Sequence, residues 1–143
     1  MHSRMTDAHF ELELADMKNA HTYRIIAIDH DMFSFVDARL NEWPVIIVTT
    51  PKEAAYLSSY EPIGVVKRSS HIRVLVFSDE VVNKVTVRVD GEGEKEMVRV
   101  SGPLFVVEWE AGMYEEGMHS MVVVATDEGG RTATSEITVR NLK

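Results

Sequence analysis

Cysteine is absent from this chain of 143 residues. Its absence excludes a disulfide framework, a zinc site built from thiolates and a cysteine nucleophile. Any core must therefore be held by packing rather than by covalent cross-links. Because 45% of the residues are apolar, the chain can bury a real core, and wholesale disorder is not expected.

Basic residues are scarce relative to acidic ones. The chain has 15 Lys and Arg against 23 Asp and Glu, which gives a net charge of −8. Nucleic acids and anionic membrane surfaces attract basic footprints, and no basic stripe with interleaved aromatic residues is present. We therefore expect no nucleic-acid partner.

Long apolar runs are missing as well. The longest, at 45–48 and 121–125, have the length of a strand and fall far short of the roughly 20 residues that a membrane-spanning helix needs. The N-terminal residues lack the apolar core of a signal peptide. We expect no direct membrane insertion by this chain, and its residues leave the compartment unknown.

The chain does contain a regular series of short β-strands, separated by turn residues such as Asp90-Gly91 and Gly129-Gly130. Seven strands with this spacing are typical of an immunoglobulin-like β-sandwich, which makes the predicted fold class all-β. One helical turn is expected at 53–57, and helix is otherwise nearly absent. The predicted strands are 45–49, 71–78, 82–89, 97–100, 104–109, 117–126 and 132–139.

Alternating apolar and polar residues predict which face of each strand is buried. At 84–89 the even positions are polar and the odd positions are valine, which predicts one solvent-exposed face and one buried face. The predicted core comprises Val74, Val76, Val85, Val87, Phe105, Val107, Trp109, Met121, Val123, Ile137 and Val139.

Residues 10–42 show a separate pattern. Strands at 10–14, 23–28 and 32–36 predict a short β-meander, with residues 1–9 frayed. A domain boundary is placed at Trp43-Pro44, because proline cannot donate to a ladder and holds the preceding residue extended.

This meander buries only one face and needs a surface to lie against. We expect 10–42 to fold back on the sandwich near Trp43, to self-associate or to be poorly ordered. A chain beginning at Trp43 should then be more soluble and less dimeric. The apolar residues concerned are Phe10, Leu12, Leu14, Ile26, Ile28, Phe33 and Phe35.

The motif Glu115-x-Gly117-x-His119-x-Met121 is the most informative in the sandwich. In immunoglobulin-like domains, an aromatic residue two positions before a core cysteine hydrogen-bonds back to upstream backbone. Here His119 holds the aromatic position and Met121 the cysteine position, while Gly117 gives the backbone room to turn. An imidazole N–H is expected to donate to a buried carbonyl of the preceding loop, a role favoured over metal binding or catalysis. The residues assigned structural roles are His119, Gly117, Met121, Trp109 and Trp43.

Two acidic stretches could suggest metal binding. In Asp29-His30-Asp31, neighbouring side chains on a strand point to opposite faces, so a turn is favoured over a metal site. The loop that carries Asp90, Glu92, Glu94 and Glu96 lacks the ligand order of an EF-hand, so a solvated hairpin is favoured.

No catalytic constellation emerges from the remaining residues. The histidines at 2, 9, 21, 30 and 71 share no metal-ligand spacing, and no nucleophile elbow or phosphate-binding glycine motif is present. Glu108 and Glu110 are expected to face solvent. We therefore predict no catalytic, cofactor-binding or metal-ligating residue, and no cofactor.

Several segments of the chain carry distinctive words, among them Trp-Pro-Val and Val-Ser-Gly-Pro. These segments lie at 23–37, 43–52, 71–78 and 100–105, with Trp109 following. Together, and in the same order along the chain, they resemble the transmembrane protein 62 family and its plant metallophosphoesterase relatives. The resemblance implies a parent with a calcineurin-like phosphoesterase domain first, an immunoglobulin-like domain next and membrane helices last. The immunoglobulin-like domain is then expected on the non-cytosolic side.

On this resemblance, 10–42 is the C-terminal β-meander of the phosphoesterase domain and 44–143 is the whole immunoglobulin-like domain. The expected partners are the upstream phosphoesterase domain and the downstream membrane helices. The family's metal-ligand motifs, such as G-N-H-D and G-H-x-H, have no counterpart here, so the two-metal centre is not assigned to this chain.

Three hypotheses about function follow. The leading one is a non-catalytic accessory or spacer module of a membrane-anchored metallophosphoesterase. The second is a phosphoesterase fragment that keeps part of an active site around Asp29-His30-Asp31. The third is a stand-alone extracellular domain that binds protein or carbohydrate.

Overall fold

The protein is a β-sandwich with an N-terminal hairpin packed against one side. The computed structural model describes residues 3–5, 10–30, 32–57, 66–67 and 69–142, and within these ranges it describes side chains at 12–30, 32–57 and 70–141. The all-β immunoglobulin-like fold class predicted from the strand pattern is confirmed.

The N-terminal segment consists of short elements. In chain order they are β1 (Ser3–Met5), β2 (Phe10–Leu12), the single turn α1 (Met17–Ala20), β3 (Thr22–Asp29) and β4 (Met32–Arg39).

The sandwich follows. Its elements in chain order are β5 (Val45–Thr50), a 3-10 turn (Ala54–Tyr56), β6 (Val66–Lys67), β7 (Ser69–Phe77), β8 (Val82–Val89), β9 (Lys95–Glu96), β10 (Val98–Ser101), β11 (Leu104–Glu110), a second 3-10 turn (Ala111–Met113), β12 (Gly117–Asp127) and β13 (Thr132–Leu142).

The strands form two stacked sheets. One has the order β10-β11-β7-β5, and the other has the order β6-β13-β12-β8-β9, in which only the short β6–β13 pair is parallel among the described residues. All seven predicted strands are present, and β6 and β9 add two short ones. Within the described part of the chain, no helix is long and apolar enough to cross a membrane.

The core lies between the inner faces of these sheets. Val74 from one sheet and Met121 and Val123 from the other are completely buried. Every predicted core residue belongs to this cluster or packs against it, with Val107 and Ile137 partly buried. One residue of the face of β8 that is predicted to be solvent-exposed is in fact buried. This residue is Thr86, which lies between Val124 of β12 and Glu96 of β9.

The predicted three-stranded meander pairs differently. β2 pairs with β1, which lies in the segment 1–9 that the sequence predicts to be frayed. Among the described residues, β3 pairs only with β4. The cause is α1, which separates β2 from β3. Asp16 caps this turn by accepting from the Lys18 amide at 2.9 Å, and His21 ends it in the left-handed conformation.

The β3–β4 hairpin packs against β5. Residues 45–49 of β5 are buried without alternation, although β5 is an edge strand of its sheet. A continuous apolar run is typical of a strand that is covered on both faces. The hairpin supplies the second cover, so it folds back on the sandwich.

Candidate functional site

His119 forms the centre of a polar cluster at one end of the sandwich. Its side chain is largely buried near the start of β12. Nε2 lies 2.8 Å from the carbonyl oxygen of Glu115, in the loop between β11 and β12, and Nδ1 lies 2.6 Å from Oδ2 of Asp90. Gly117 opens the strand with a φ of +136°, a conformation that side-chain-bearing residues rarely adopt.

Asp90 is a partner that the sequence pattern does not single out. It begins the tight turn between β8 and β9, with φ of +49° there and +73° at Gly91. Its Oδ1 accepts from the Ser120 backbone amide at 2.9 Å, while Oδ2 faces His119. An Asp-Gly pair predicts the turn, but nothing in the sequence relates Asp90 to a histidine in another strand.

The two ring nitrogens of His119 therefore face two acceptors. The hydrogen bond with Asp90 raises the pKa of His119 above its usual value, against the opposing effect of burial. Burial alone would raise the pKa of Asp90, but hydrogen bonds from His119 and the Ser120 amide bring it below its usual value. The two side chains form an ion pair at pH values between the two pKa values.

Asn141 holds the same loop from β13. Its Nδ2 donates to the carbonyl of Ala111 at 2.8 Å and lies 3.2 Å from that of Glu115. Its side chain is completely buried. No sequence motif marks this residue, because a single asparagine near a chain end is compatible with many roles.

Aromatic residues close the core beneath the loop. Tyr114 packs edge-on against His119 with ring centroids 5.5 Å apart, and its ring lies 5.8 Å from that of Trp109. Trp109 and Met121 are buried, whereas Trp43 is half-buried just before β5, in a cis peptide bond with Pro44. The structural roles assigned to these residues from the sequence remain predictions.

A second polar cluster joins the hairpin to the sandwich. Oδ2 of Asp29 accepts from Nε of Arg73 at 2.7 Å and from Oγ1 of Thr49 at 2.9 Å, and Oδ1 lies 2.6 Å from Nδ1 of His30. Burial alone would raise the pKa of Asp29, but the hydrogen bonds from Arg73 and Thr49 bring it below its usual value. His30 has a φ of +48°, as in a turn, and Asp31 lies outside the described residues.

Two cations lie over the aromatic rings of β4. Nζ of the buried Lys52 is 4.3 Å from the centroid of Phe33, and the guanidinium of Arg24 is 4.5 Å from that of Phe35. Arg24 also donates two hydrogen bonds to Asp37, at 2.6 and 2.9 Å. These contacts cover part of the hairpin's apolar surface with the aliphatic stems of charged residues.

The remaining candidate residues are dispersed. Glu94 lies 3.5 Å from Arg88 and 3.9 Å from Lys84, and Glu108 and Glu110 are exposed. His2 and His9 lie outside the described residues. Across the part of the chain that the structure describes, no three His, Asp or Glu side chains are close enough to hold a metal ion.

At the opposite end of the sandwich, Asp127 ties two loops together. It accepts from Oγ of Ser78 and from Nε of Arg131, both at 2.9 Å, and Arg131 also contacts Asp79. Burial alone would raise the pKa of Asp127, but these hydrogen bonds lower it. The sequence pattern identifies only the Gly129-Gly130 turn beside this cluster.

Solved structures share this fold. An endo-β-1,4-mannanase from Thermotoga petrophila is 15% identical, with a TM-score of 0.58, over 72% of this chain and 20% of its own. A modular endo-β-1,4-mannanase from Cellulomonas fimi is 18% identical, with a TM-score of 0.51, over 73% of this chain and 20% of its own. At such low identity these similarities show the fold alone.

Sequence comparisons are more specific. The mouse (Mus musculus) protein Transmembrane protein 62 is 39% identical over 136 residues, which cover 94% of this chain and 21% of the mouse protein. The chain thus spans about a fifth of the length of that relative. Residues 40–143, which contain the whole sandwich and its connection to the hairpin, match the family described as the TMEM62 Ig-like domain. The chain belongs to the TMEM62 Ig-like domain family.

Proposed function

We propose that this chain is a non-catalytic accessory module of a membrane-anchored metallophosphoesterase. The sandwich acts as a spacer, and the β3–β4 hairpin docks against the domain that precedes it. Family membership and the name of the mouse relative support a membrane protein. The phosphoesterase part rests on the resemblance found in the sequence.

The observation that carries the docking proposal is an exposed apolar pair on β3. Ile26 and Ile28 are 63% and 79% exposed, and they lie opposite Phe35 and Phe33 on β4. Within the described residues, the other edge of β3 has no ladder partner. An apolar strand with an open edge is a surface to which another strand can be added.

The extent of the sequence matches supports the same proposal. The match to the mouse protein is longer than the family segment 40–143, so it includes part of the chain before residue 40. The hairpin is therefore shared with the longer relative but lies outside the immunoglobulin-like segment. This pattern fits an element that belongs with the preceding domain.

Binding to that domain provides the test. We expect this chain to bind the part of the mouse protein that precedes the matched segment. Ile26→Ser with Ile28→Ser should weaken binding by roughly tenfold or more, because burial of each side chain contributes about 1.5–3 kcal/mol. Val98→Ser with Val100→Ser, at two similarly exposed valines on β10, is the matched control. Equal loss in both variants, or no binding, would overturn the docking proposal.

The enzyme hypothesis is separated by an activity assay. Both carboxylate oxygens of Asp29 already face donors, from Arg73, Thr49 and His30, which favours a structural role for this residue. We expect the purified chain to show no turnover of an aryl phosphate with manganese. Turnover that His30→Ala abolishes would replace the accessory function with a catalytic one.

A further inference from the structure

The surroundings of His119 require a particular protonation state. A neutral imidazole has one N–H and one lone pair, whereas the imidazolium has two N–H groups. Here a carboxylate oxygen and a carbonyl oxygen lie 2.6 and 2.8 Å from the two nitrogens. Only the doubly protonated ring can donate to both oxygens.

These two contacts join segments that are distant in the chain. Asp90 belongs to the turn between β8 and β9, where its backbone amide also donates to the Ser120 carbonyl at 2.9 Å. Glu115 belongs to the loop between β11 and β12, which we call the 111–116 loop. The His119 side chain therefore connects that loop to the β8–β9 turn.

We propose that His119 is a proton-operated latch, which ties the 111–116 loop to the β8–β9 turn when protonated and releases the Glu115 carbonyl when it loses a proton. The remaining proton stays on Nδ1, because the carboxylate of Asp90 is a stronger acceptor than a carbonyl. The lone pair on Nε2 then faces the Glu115 carbonyl oxygen, and this contact becomes repulsive.

The charges around the ring act in the same direction. The β8–β9 turn presents Asp90 and the nearby Glu92, and the 111–116 loop presents Glu115 and Tyr114. From β13, Val139 lies opposite His119 in the ladder, and the neutral Asn141 contacts the loop. Deprotonation removes the cation from this acidic group, and the carboxylates that remain repel one another.

The direction of the pH response follows from the geometry. The latch is closed in acid and opens as the pH rises through the raised pKa of His119. At low pH the ion pair is lost again once Asp90 is protonated, and this occurs below the usual pH for an aspartate because the pKa of Asp90 is depressed. The loop therefore loosens in alkaline surroundings, and Met113, which is 81% exposed in this loop, marks the surface that would change.

Nuclear magnetic resonance of the full chain tests the latch. We expect the titration midpoint of His119 to lie above that of histidine in an unstructured peptide, with both ring nitrogens protonated below it. The hydrogen-exchange protection factor of the Tyr114 amide, which donates to the Ala111 carbonyl, should fall roughly tenfold across that midpoint. The Val123 amide should keep its protection.

Variants identify the partner that controls the midpoint. Asp90→Asn keeps the size of the side chain but removes its charge, so the His119 midpoint should fall toward that of a peptide histidine. Glu92→Gln, in the same turn, is the matched control and should shift the midpoint less. A His119 midpoint at or below that of a peptide histidine, or Tyr114 protection that stays constant through the midpoint, would overturn the latch. The His119 midpoint and the Tyr114 protection are both measured on the unmodified chain, so they test the latch even if Asp90→Asn does not fold.

Discussion

The sandwich and the β3–β4 hairpin bury their apolar side chains in different ways. In the sandwich, two sheets cover each other, so residues such as Val74 and Val123 are completely removed from water. In the hairpin, Met32 and Ala38 are buried, but Ile26 and Ile28 are mostly exposed. A two-stranded unit cannot enclose a core of its own, so the hairpin depends on β5 for one face and leaves part of the other uncovered.

The two regions also differ in the chemistry of their contacts. Apolar packing forms the core of the sandwich, whose ion pairs lie at its two ends, whereas Asp29, Arg73 and Lys52 contribute charged contacts at the hairpin junction itself. Apolar packing responds weakly to pH, but an ion pair fails when one partner is neutralised. Acid should therefore loosen the attachment of the hairpin as Asp29 is protonated, without titrating the apolar core between the two sheets.

A charge in the core should produce the largest effect. Val123→Asp places a carboxylate in a fully buried site, and we expect the free energy of unfolding to fall by roughly 5 kcal/mol or more, from lost apolar burial and the penalty for a buried charge. Ile28→Asp, at an exposed position of the hairpin, should change it by less than about 1 kcal/mol. Urea unfolding followed by circular dichroism measures both. Similar losses would remove the distinction between the two regions.

Removal of residues 1–42 should have the next largest effect. It uncovers Val45 and Ile47 on β5, which the hairpin buries, and we expect the free energy of unfolding to fall by about 2–4 kcal/mol, since these side chains become only partly exposed. Thermal and urea unfolding of the full chain and of a chain beginning at Trp43 provide the measurement. Equal stability of the two would mean that the hairpin contributes nothing to the sandwich.

Asp29→Asn should weaken the junction by a smaller amount. Loss of the charge-assisted hydrogen bond to Arg73 is expected to lower stability by about 1–3 kcal/mol. Because the pKa of Asp29 is depressed in the folded state, its contribution is complete above the unfolded value, near pH 4, and is lost as the pH falls through the folded value. Unfolding measured from pH 2 to pH 6 should show this acid dependence in the original chain and a weaker one in the variant. Identical pH profiles would exclude Asp29 as its source.

The smallest effect on stability is expected at the exposed face of the hairpin. Ile26→Ser with Ile28→Ser should change the free energy of unfolding by less than about 1 kcal/mol, because both side chains are mostly in water already. The same change should reduce any self-association through 10–42, measured by sedimentation. Val98→Ser with Val100→Ser serves as the control, and self-association that falls only in this control would place the contact on β10.

The local sequence pattern predicts the sandwich well, because apolar and polar residues alternate in strand after strand and turn residues recur between the strands. Alternation identifies the inward residues of β8 and β12, and Gly129-Gly130 identifies the turn before β13. The hairpin region is harder to predict. The Asp16 cap of α1 is a weak local signal, and β1 is too short to show a period. The pairing of β2 with β1 rather than with β3 therefore escapes the pattern.

The sequence by itself determined the all-β fold and the inward faces of the strands. These follow from side-chain period and turn chemistry, which act over a few neighbouring residues. Only the tertiary structure decided that Asp90 faces His119, that Asn141 reaches the carbonyls of the 111–116 loop and that the hairpin covers β5. Asp90 meets His119 through the pairing of β8 with β12, Asn141 reaches across from one sheet to the loop that follows β11 of the other, and the hairpin must fold onto β5. None of these arrangements leaves a signal among neighbouring residues of the sequence.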